Sequence, residues 1–117
     1  MDQITHLFVY GTLAPGKRNH HIMQGIDGNW QAASMRGSLF TEGWGAAHDC
    51  PGVVPSANGG TIKGLLFTSD KLPQFWQMLD EFEGQDYRRA VVPVSLYSGE
   101  RLDACVYTIR DTISHRT

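Results

Sequence analysis

The sequence predicts an α+β domain, a mixed, mostly antiparallel small β-barrel carrying one main helix. Three observations lead there. Short β-rich runs recur along the chain. A single stretch, from Leu72 onward, keeps its apolar residues at strong helical spacing. Strands and helices do not alternate as a parallel crossover fold requires. The length of 117 residues suits one domain over the whole chain.

The elements read as follows. His6-Leu7-Phe8-Val9-Tyr10 is an apolar first strand, ended by Gly11, and Ala14-Pro15-Gly16 is a turn signal. Residues 17–29 are polar and ambiguous, with room for a short helix through His20–Met23. Residues 30–40 read as a strand, with Trp30, Ala32 and Leu39 among its apolar members. Residues 41–60 read as a long loop, because Gly43, Gly45, Pro51, Gly52, Pro55, Gly59 and Gly60 crowd it. Ile62–Phe67 is the next strand. Ser69 and Asp70 are N-cap candidates, Pro73 suits a first helical turn, and Gly84 is a natural stop. Between them Leu72, Phe75, Trp76, Leu79 and Phe82 fall at helical spacing. Residues 88–97 and 101–110 are two further β runs, joined by the hairpin signal Ser98-Gly99-Glu100.

Composition narrows the function classes. A net charge of -2 and a pI near 6.2 give no electrostatic reason to expect nucleic acid or an anionic membrane as partner. No apolar run approaches the ~20 residues of a membrane span. Two cysteines, Cys50 and Cys105, are too few for a disulfide framework, which favours a reducing compartment. The start, Met1-Asp2-Gln3, lacks the basic and then apolar regions of a secretory signal, so a cytoplasmic protein is expected. Eleven of the thirteen glycines lie between Gly11 and Gly64, and such loops can bring main-chain N–H groups close to a ligand.

One carboxylate stands out. At about 100° per residue, with Leu72 at zero, Trp76 lies near 40°, Leu79 near 340° and Glu83 near 20°. Glu81 lies near 180° and is an ordinary solvated charge, while Asp80 lies near 80°, at the edge. Glu83 therefore belongs to the apolar stripe. Desolvation should raise its pKa, and a place in the last helical turn, at the negative end of the macrodipole, should add to that. Asp80 and Asp86 could contribute like-charge repulsion. A carboxylate tuned this way can take and return a proton near neutral pH. The alternative is that Glu83 leans into solvent, or pairs with Arg88 or Arg89.

Tyr10-Gly11-Thr12-Leu13 follows the first strand. Successive N–H groups in such a turn can form a concave site for a carboxylate or a developing oxyanion; a plain strand-ending turn is the alternative. Gly11 to Lys17 spells G-x-x-x-x-G-K, but Arg18 stands where a phosphate-binding loop needs Ser or Thr, and no strong helix follows. The histidines His6, His20, His21, His48 and His115 make no metal-ligand spacing, so no metal is expected. His20-His21 reads as a surface segment. No serine stands in a G-x-S-x-G elbow. Cys50 beside His48 reads as a bland loop thiol, and Tyr87 and Tyr107 read by default as core aromatics.

Val9-Tyr10-Gly11-Thr12-Leu13, then Gly16 and Asn19, and later Leu79-Asp80-Glu81-Phe82-Glu83-Gly84 with Tyr87 and Arg89, form a set. It resembles the γ-glutamylcyclotransferase superfamily, in particular its short γ-glutamylamine cyclotransferase and AIG2-like branches, from residue 8 to about residue 107. The resemblance implies a small barrel-like α+β fold and a cofactor-free reaction. In that reaction the α-amine of a γ-glutamyl amide attacks the side-chain carbonyl, giving 5-oxoproline and a released amine. It implies Glu83 as the acid/base, and Tyr10, Gly11, Thr12 and Leu13 as the turn that binds the glutamyl end. Tyr87 and Tyr107 would line the pocket, and the central loop containing Pro51 and Gly52 would help to shape it. Here that loop reads Asp49-Cys50-Pro51-Gly52, where many relatives carry an aromatic residue before the proline. The expected partner is a small-molecule γ-glutamyl substrate, met by a monomer or weak homodimer. Two other functions remain open: a non-catalytic module binding a small carboxylate or amino acid in the same pocket, and a structural domain that leaves the pocket unused.

Overall fold

The computed structural model describes residues 4–44 and 50–109; the side chains of residues 41–44, 50 and 51 are not described. Six strands are present among the described residues: β1 (His6–Val9), β2 (Asn29–Trp44), β3 (Cys50–Pro55), β4 (Gly60–Thr68), β5 (Tyr87–Leu96) and β6 (Arg101–Ile109). The helix α1 (Leu72–Glu83) joins β4 to β5, and a 3₁₀ turn spans His20–Ile22. The strand order is β3-β2-β4-β1-β6-β5, and a further pairing of β5 with β2 closes a barrel of the last five. All pairings are antiparallel except β1 with β6, which run parallel at Leu7 and Cys105. The fold is the mixed α+β barrel that the sequence predicts.

Strand alternation divides the apolar residues into two cores. On β1, Phe8 points into the barrel, while Leu7 and Val9 point outward; on β6, Ala104 and Val106 point in, while Cys105 and Tyr107 point out. The inner core adds Ala33, Met35, Ile62, Leu66, Val92, Val94 and Leu96. The outer core is roofed by α1 and by the segment after β1, through Leu13, Met23, Ile26, Leu72 and Leu79. Phe67 of β4 joins it, flanked by Trp30. Gly64 lets β4 approach the end of β1, since a Cβ there would sit 2.6 Å from the Val9 carbonyl oxygen and 2.7 Å from the Phe8 ring.

Four sequence expectations need correction. The region 41–60 is not one loop: β2 runs to Trp44, and Cys50–Pro55 forms β3, which pairs with β2 at positions such as Phe40 with Gly52. Its prolines are tolerable because β3 is an edge strand. Residues 45–49, His48 among them, lie outside the described residues. Neither Ser69 nor Asp70 caps α1. The N-cap is Lys71, without a side-chain cap, and the buried Ser69 instead accepts a hydrogen bond at Oγ from the Lys71 N–H at 3.1 Å. Phe82 is not part of the buried stripe but faces out, because it lies to the side of the Leu72–Leu79 line. Finally, Met23 and Ile26, in a segment read as polar, are buried in the outer core.

Candidate active site

The turn after β1 is held from below by the 3₁₀ segment. The Asn19 N–H donates to the Thr12 carbonyl at 3.0 Å, and Asn19 Nδ2 donates to Thr12 Oγ1 at 2.9 Å. His20 Nδ1 bonds the Leu13 carbonyl at 2.9 Å, while its ring leans on Trp30. His20 is therefore a half-buried strut, not the free surface residue that the sequence suggests. The buried Leu13 anchors the turn in the outer core. Among the described residues, the N–H groups of Thr12 and Leu13 donate to no main-chain carbonyl. Main-chain donors without an internal partner are what an anion or oxyanion site requires.

Tyr107 connects this turn to α1. Its carbonyl accepts a hydrogen bond from the Tyr10 hydroxyl at 2.6 Å. Its own hydroxyl donates to Asp80 Oδ1 at 2.7 Å. The same Asp80 oxygen receives Arg89 Nη1 at 3.2 Å, and the Arg89 guanidinium lies 4.6 Å from the centre of the Trp76 ring. Burial pushes the Tyr107 hydroxyl well above the usual phenol range. The hydrogen bond and charge of Asp80 push it further, and the Glu83 carboxylate adds a smaller push. Glu83 therefore lies within electrostatic reach of the Tyr107 hydroxyl.

Glu83 occupies the last residue of α1, one position before Gly84, whose φ of 84° ends the helix. It is half-buried and makes no hydrogen bond or ion pair among the described residues. Burial raises its pKa from 4.5 to about 7. Desolvation alone accounts for that rise, without the like-charge repulsion from Asp80 and Asp86 considered in the sequence. The ion pair of Arg89 is with Asp80 and not with Glu83.

Of the residues singled out in the sequence, Leu13 and Tyr107 belong to the outer core, Tyr10 packs against the inner core and reaches Tyr107 through its hydroxyl, and Glu83 acts on the Tyr107 hydroxyl from the end of α1. Tyr87 is buried in the outer core. Gly11 and Thr12 belong to the turn itself. Gly52 is a buried residue of β3, on the strand that extends the barrel, and the side chain of Pro51 lies outside the described residues. Asp80 is a side chain of this region that the sequence left unassigned, and it binds both Tyr107 and Arg89. A wheel angle at the edge of the stripe left it unassigned, and its partners come from β5 and β6. Among the described residues, no three His, Cys, Asp or Glu side chains converge as a metal site would require. Among the described residues, no helix is long and apolar enough to cross a membrane.

The model of the AIG2-like γ-glutamyl cyclotransferase family matches residues 7–117. The chain belongs to that family. YkqA of Bacillus subtilis is 31% identical over 92% of this chain, with a TM-score of 0.71. This chain spans only 36% of the length of YkqA. The AIG2-like protein of Mus musculus shares the fold at a TM-score of 0.70 and 24% identity, covering 92% of this chain and 78% of its own. A structure described as γ-glutamyl cyclotransferase shares it at a TM-score of 0.67 and 17% identity, covering 91% of this chain and 66% of its own. None of the curated proteins compared matches the chain significantly.

Proposed function

We propose that this member of the family is a cyclotransferase that converts a small γ-glutamyl amide to 5-oxoproline, with Glu83 as the acid/base. The observation that carries the reading is the unpaired, half-buried Glu83, whose pKa of about 7 lets it exchange a proton at neutral pH.

The α-amine of the substrate arrives as an ammonium. Glu83 takes a proton from it, and the freed amine attacks the γ-carbonyl carbon. The new C–N bond closes a five-membered ring and leaves an oxyanion, which the N–H groups of Thr12 and Leu13 are suited to hold. Collapse of the oxyanion breaks the bond to the departing nitrogen. The ring nitrogen gives up a second proton, and both protons end on the departing nitrogen, which leaves as an ammonium. Ring closure is intramolecular, so positioning supplies much of the rate, with effective molarities of ~10⁵ M or more in well-oriented cases. Chemistry of this kind calls for no redox group.

Two substrate classes suit the reading: γ-glutamyl derivatives of an amine, such as the γ-glutamyl-lysine left by protein cross-links, and γ-glutamyl intermediates of biosynthesis. The test is 5-oxoproline release from a panel of γ-glutamyl amides by wild type and Glu83→Gln. The wild type should turn over at least one member, and the variant should lose about 10²–10⁴-fold in kcat/KM while remaining folded. Wild-type protein that binds panel members without forming 5-oxoproline would point to the carboxylate-binding module instead.

A further inference from the structure

Asparagine is a favoured N-cap residue, because its side-chain oxygen accepts main-chain N–H groups at a helix start. Asn19 stands at the N-cap of the His20–Ile22 turn but makes no such bond. Its side chain goes to Thr12 instead. Nδ2 donates to Thr12 Oγ1 at 2.9 Å, and the Asn19 N–H donates to the Thr12 carbonyl at 3.0 Å. One residue thus grips Thr12 at both its main chain and its side chain. That grip has a direction. A trans peptide points its C=O and N–H to opposite sides, and the described chain has no cis bond. The Thr12 carbonyl faces Asn19, so the Leu13 N–H of the same peptide faces away from it. In the same way the Thr12 N–H points away from the Gly11 carbonyl, which the Ala14 N–H occupies at 3.2 Å. A hydroxyl has one proton and two lone pairs, and Nδ2 has only protons to offer. Thr12 Oγ1 therefore spends a lone pair on Asn19, and its own proton points elsewhere. Among the described residues Oγ1 has no further partner, so that proton is left to give.

We propose that Asn19 is a positioning residue that commits the Thr12 hydroxyl to donating. The hydroxyl then serves as a third donor, beside the N–H groups of Thr12 and Leu13, to the oxyanion formed on ring closure. The inference rests on the cyclotransferase reading. Charge develops on that oxygen only as the ring closes, so a donor committed to it acts on kcat and leaves KM in place. A residue that merely kept the turn in shape would move KM as well, because the glutamyl end would lose its seat.

The experiment measures kcat and KM for 5-oxoproline release in Asn19→Ala, Asn19→Asp, Thr12→Val and the double variants, with the best γ-glutamyl amide of the panel. Thr12→Val removes the donor and should lower kcat about 10²-fold at unchanged KM. Asn19→Ala lets the hydroxyl rotate and should lower kcat about tenfold. Asn19→Asp keeps the shape and a favoured N-cap type but offers only acceptor oxygens, so the hydroxyl turns toward it. It should lose more than Asn19→Ala. In the Thr12→Val background Asn19→Ala should cost nothing further, and the excess loss of Asn19→Asp should shrink. Single-variant losses that multiply in the double variant, or a KM that rises while kcat stays, overturn the proposal. So does an Asn19→Asp that keeps wild-type kcat, since position 19 would then be accepting and not donating. If Asn19→Ala does not fold, Asn19→Asp with and without Thr12→Val decides it. Nitrogen-15 NMR of the Asn19 side-chain amide answers without turnover: its signals should move in Thr12→Val, and unmoved signals overturn the proposal. Wild type that forms no 5-oxoproline from any panel member overturns the cyclotransferase reading and the proposal with it. Wild type that turns over while the variants keep its kcat overturns the proposal alone.

Discussion

Val106 and Tyr107 are neighbours on β6 and sit in different chemical worlds. Val106 points into the barrel, in the apolar cluster of Phe8, Leu66, Val94 and Ala104. Tyr107 points outward under α1, where its hydroxyl meets Asp80, its carbonyl takes the Tyr10 hydroxyl, and Glu83 acts on it from the end of the helix. The same alternation separates Phe8 from Leu7 and Val9 on β1. One face of the strands is a close-packed apolar core. The other is a mixed face in which polar side chains enter the apolar layer at defined points. The comparison teaches that the inner core fixes the barrel, so that the outer face can tolerate an unpaired carboxylate at its margin.

The largest effect that would sharpen this contrast is on stability alone. Phe8→Ala removes a ring from the inner core and should cost about 3–5 kcal/mol in urea unfolding, while the pH dependence of turnover by the folded fraction stays unchanged. A shifted pH profile would show that the two faces are not separate.

Next comes Glu83→Gln, read as stability and not as rate. Below about pH 4.5 Glu83 is protonated in both the folded and unfolded chains, so its burial costs little. Between pH 4.5 and about 7 the unfolded chain ionises first and the folded chain holds more protons, so stability falls as pH rises. Above about 7 both are ionised and the full penalty is present. Glu83→Gln removes that penalty. It should leave stability near wild type at pH 4 and raise it by about 1–3 kcal/mol at pH 8, the lower values allowing for solvent at a half-buried group. Thermal melts at the two pH values check it, and equal effects at both would mean that Glu83 is not desolvated. The variant that loses activity should thus be the more stable protein above neutral pH.

The smallest effect belongs to Tyr107→Phe. It removes the hydrogen bond to Asp80 but leaves Arg89 on that carboxylate, and should cost about 0.5–1.5 kcal/mol. A much larger loss in melts would mean that the outer face holds the fold together as much as the inner one does.

What was legible in the sequence follows from which interactions are local. The helix from Leu72 to Glu83 is written in its own spacing, with Pro73 near its start and Gly84 after its end. Glu83 could be placed in the apolar stripe by the same arithmetic. The Tyr10–Leu13 turn was visible as a strand end with a glycine. β3 was not visible, because Cys50-Pro51-Gly52-Val53-Val54-Pro55 carries loop residues that only an edge position in the sheet excuses. Asp80 was not assigned either, since nothing within a helical turn of it foretells Tyr107 or Arg89. Those partners arrive through the pairing of β5 with β6, where Arg89 stands opposite Tyr107. Asn19 was legible as part of a family pattern, but its grip on Thr12 is a fact of three dimensions.

The most direct test of the central claim is the pH dependence of kcat/KM for 5-oxoproline formation by the wild type, with the best γ-glutamyl amide of the panel. An acid limb of unit slope with its midpoint near pH 7 is the predicted result. A profile flat from pH 5 to 8, or a limb centred near 4.5, would mean that the buried carboxylate is not the group that moves the proton.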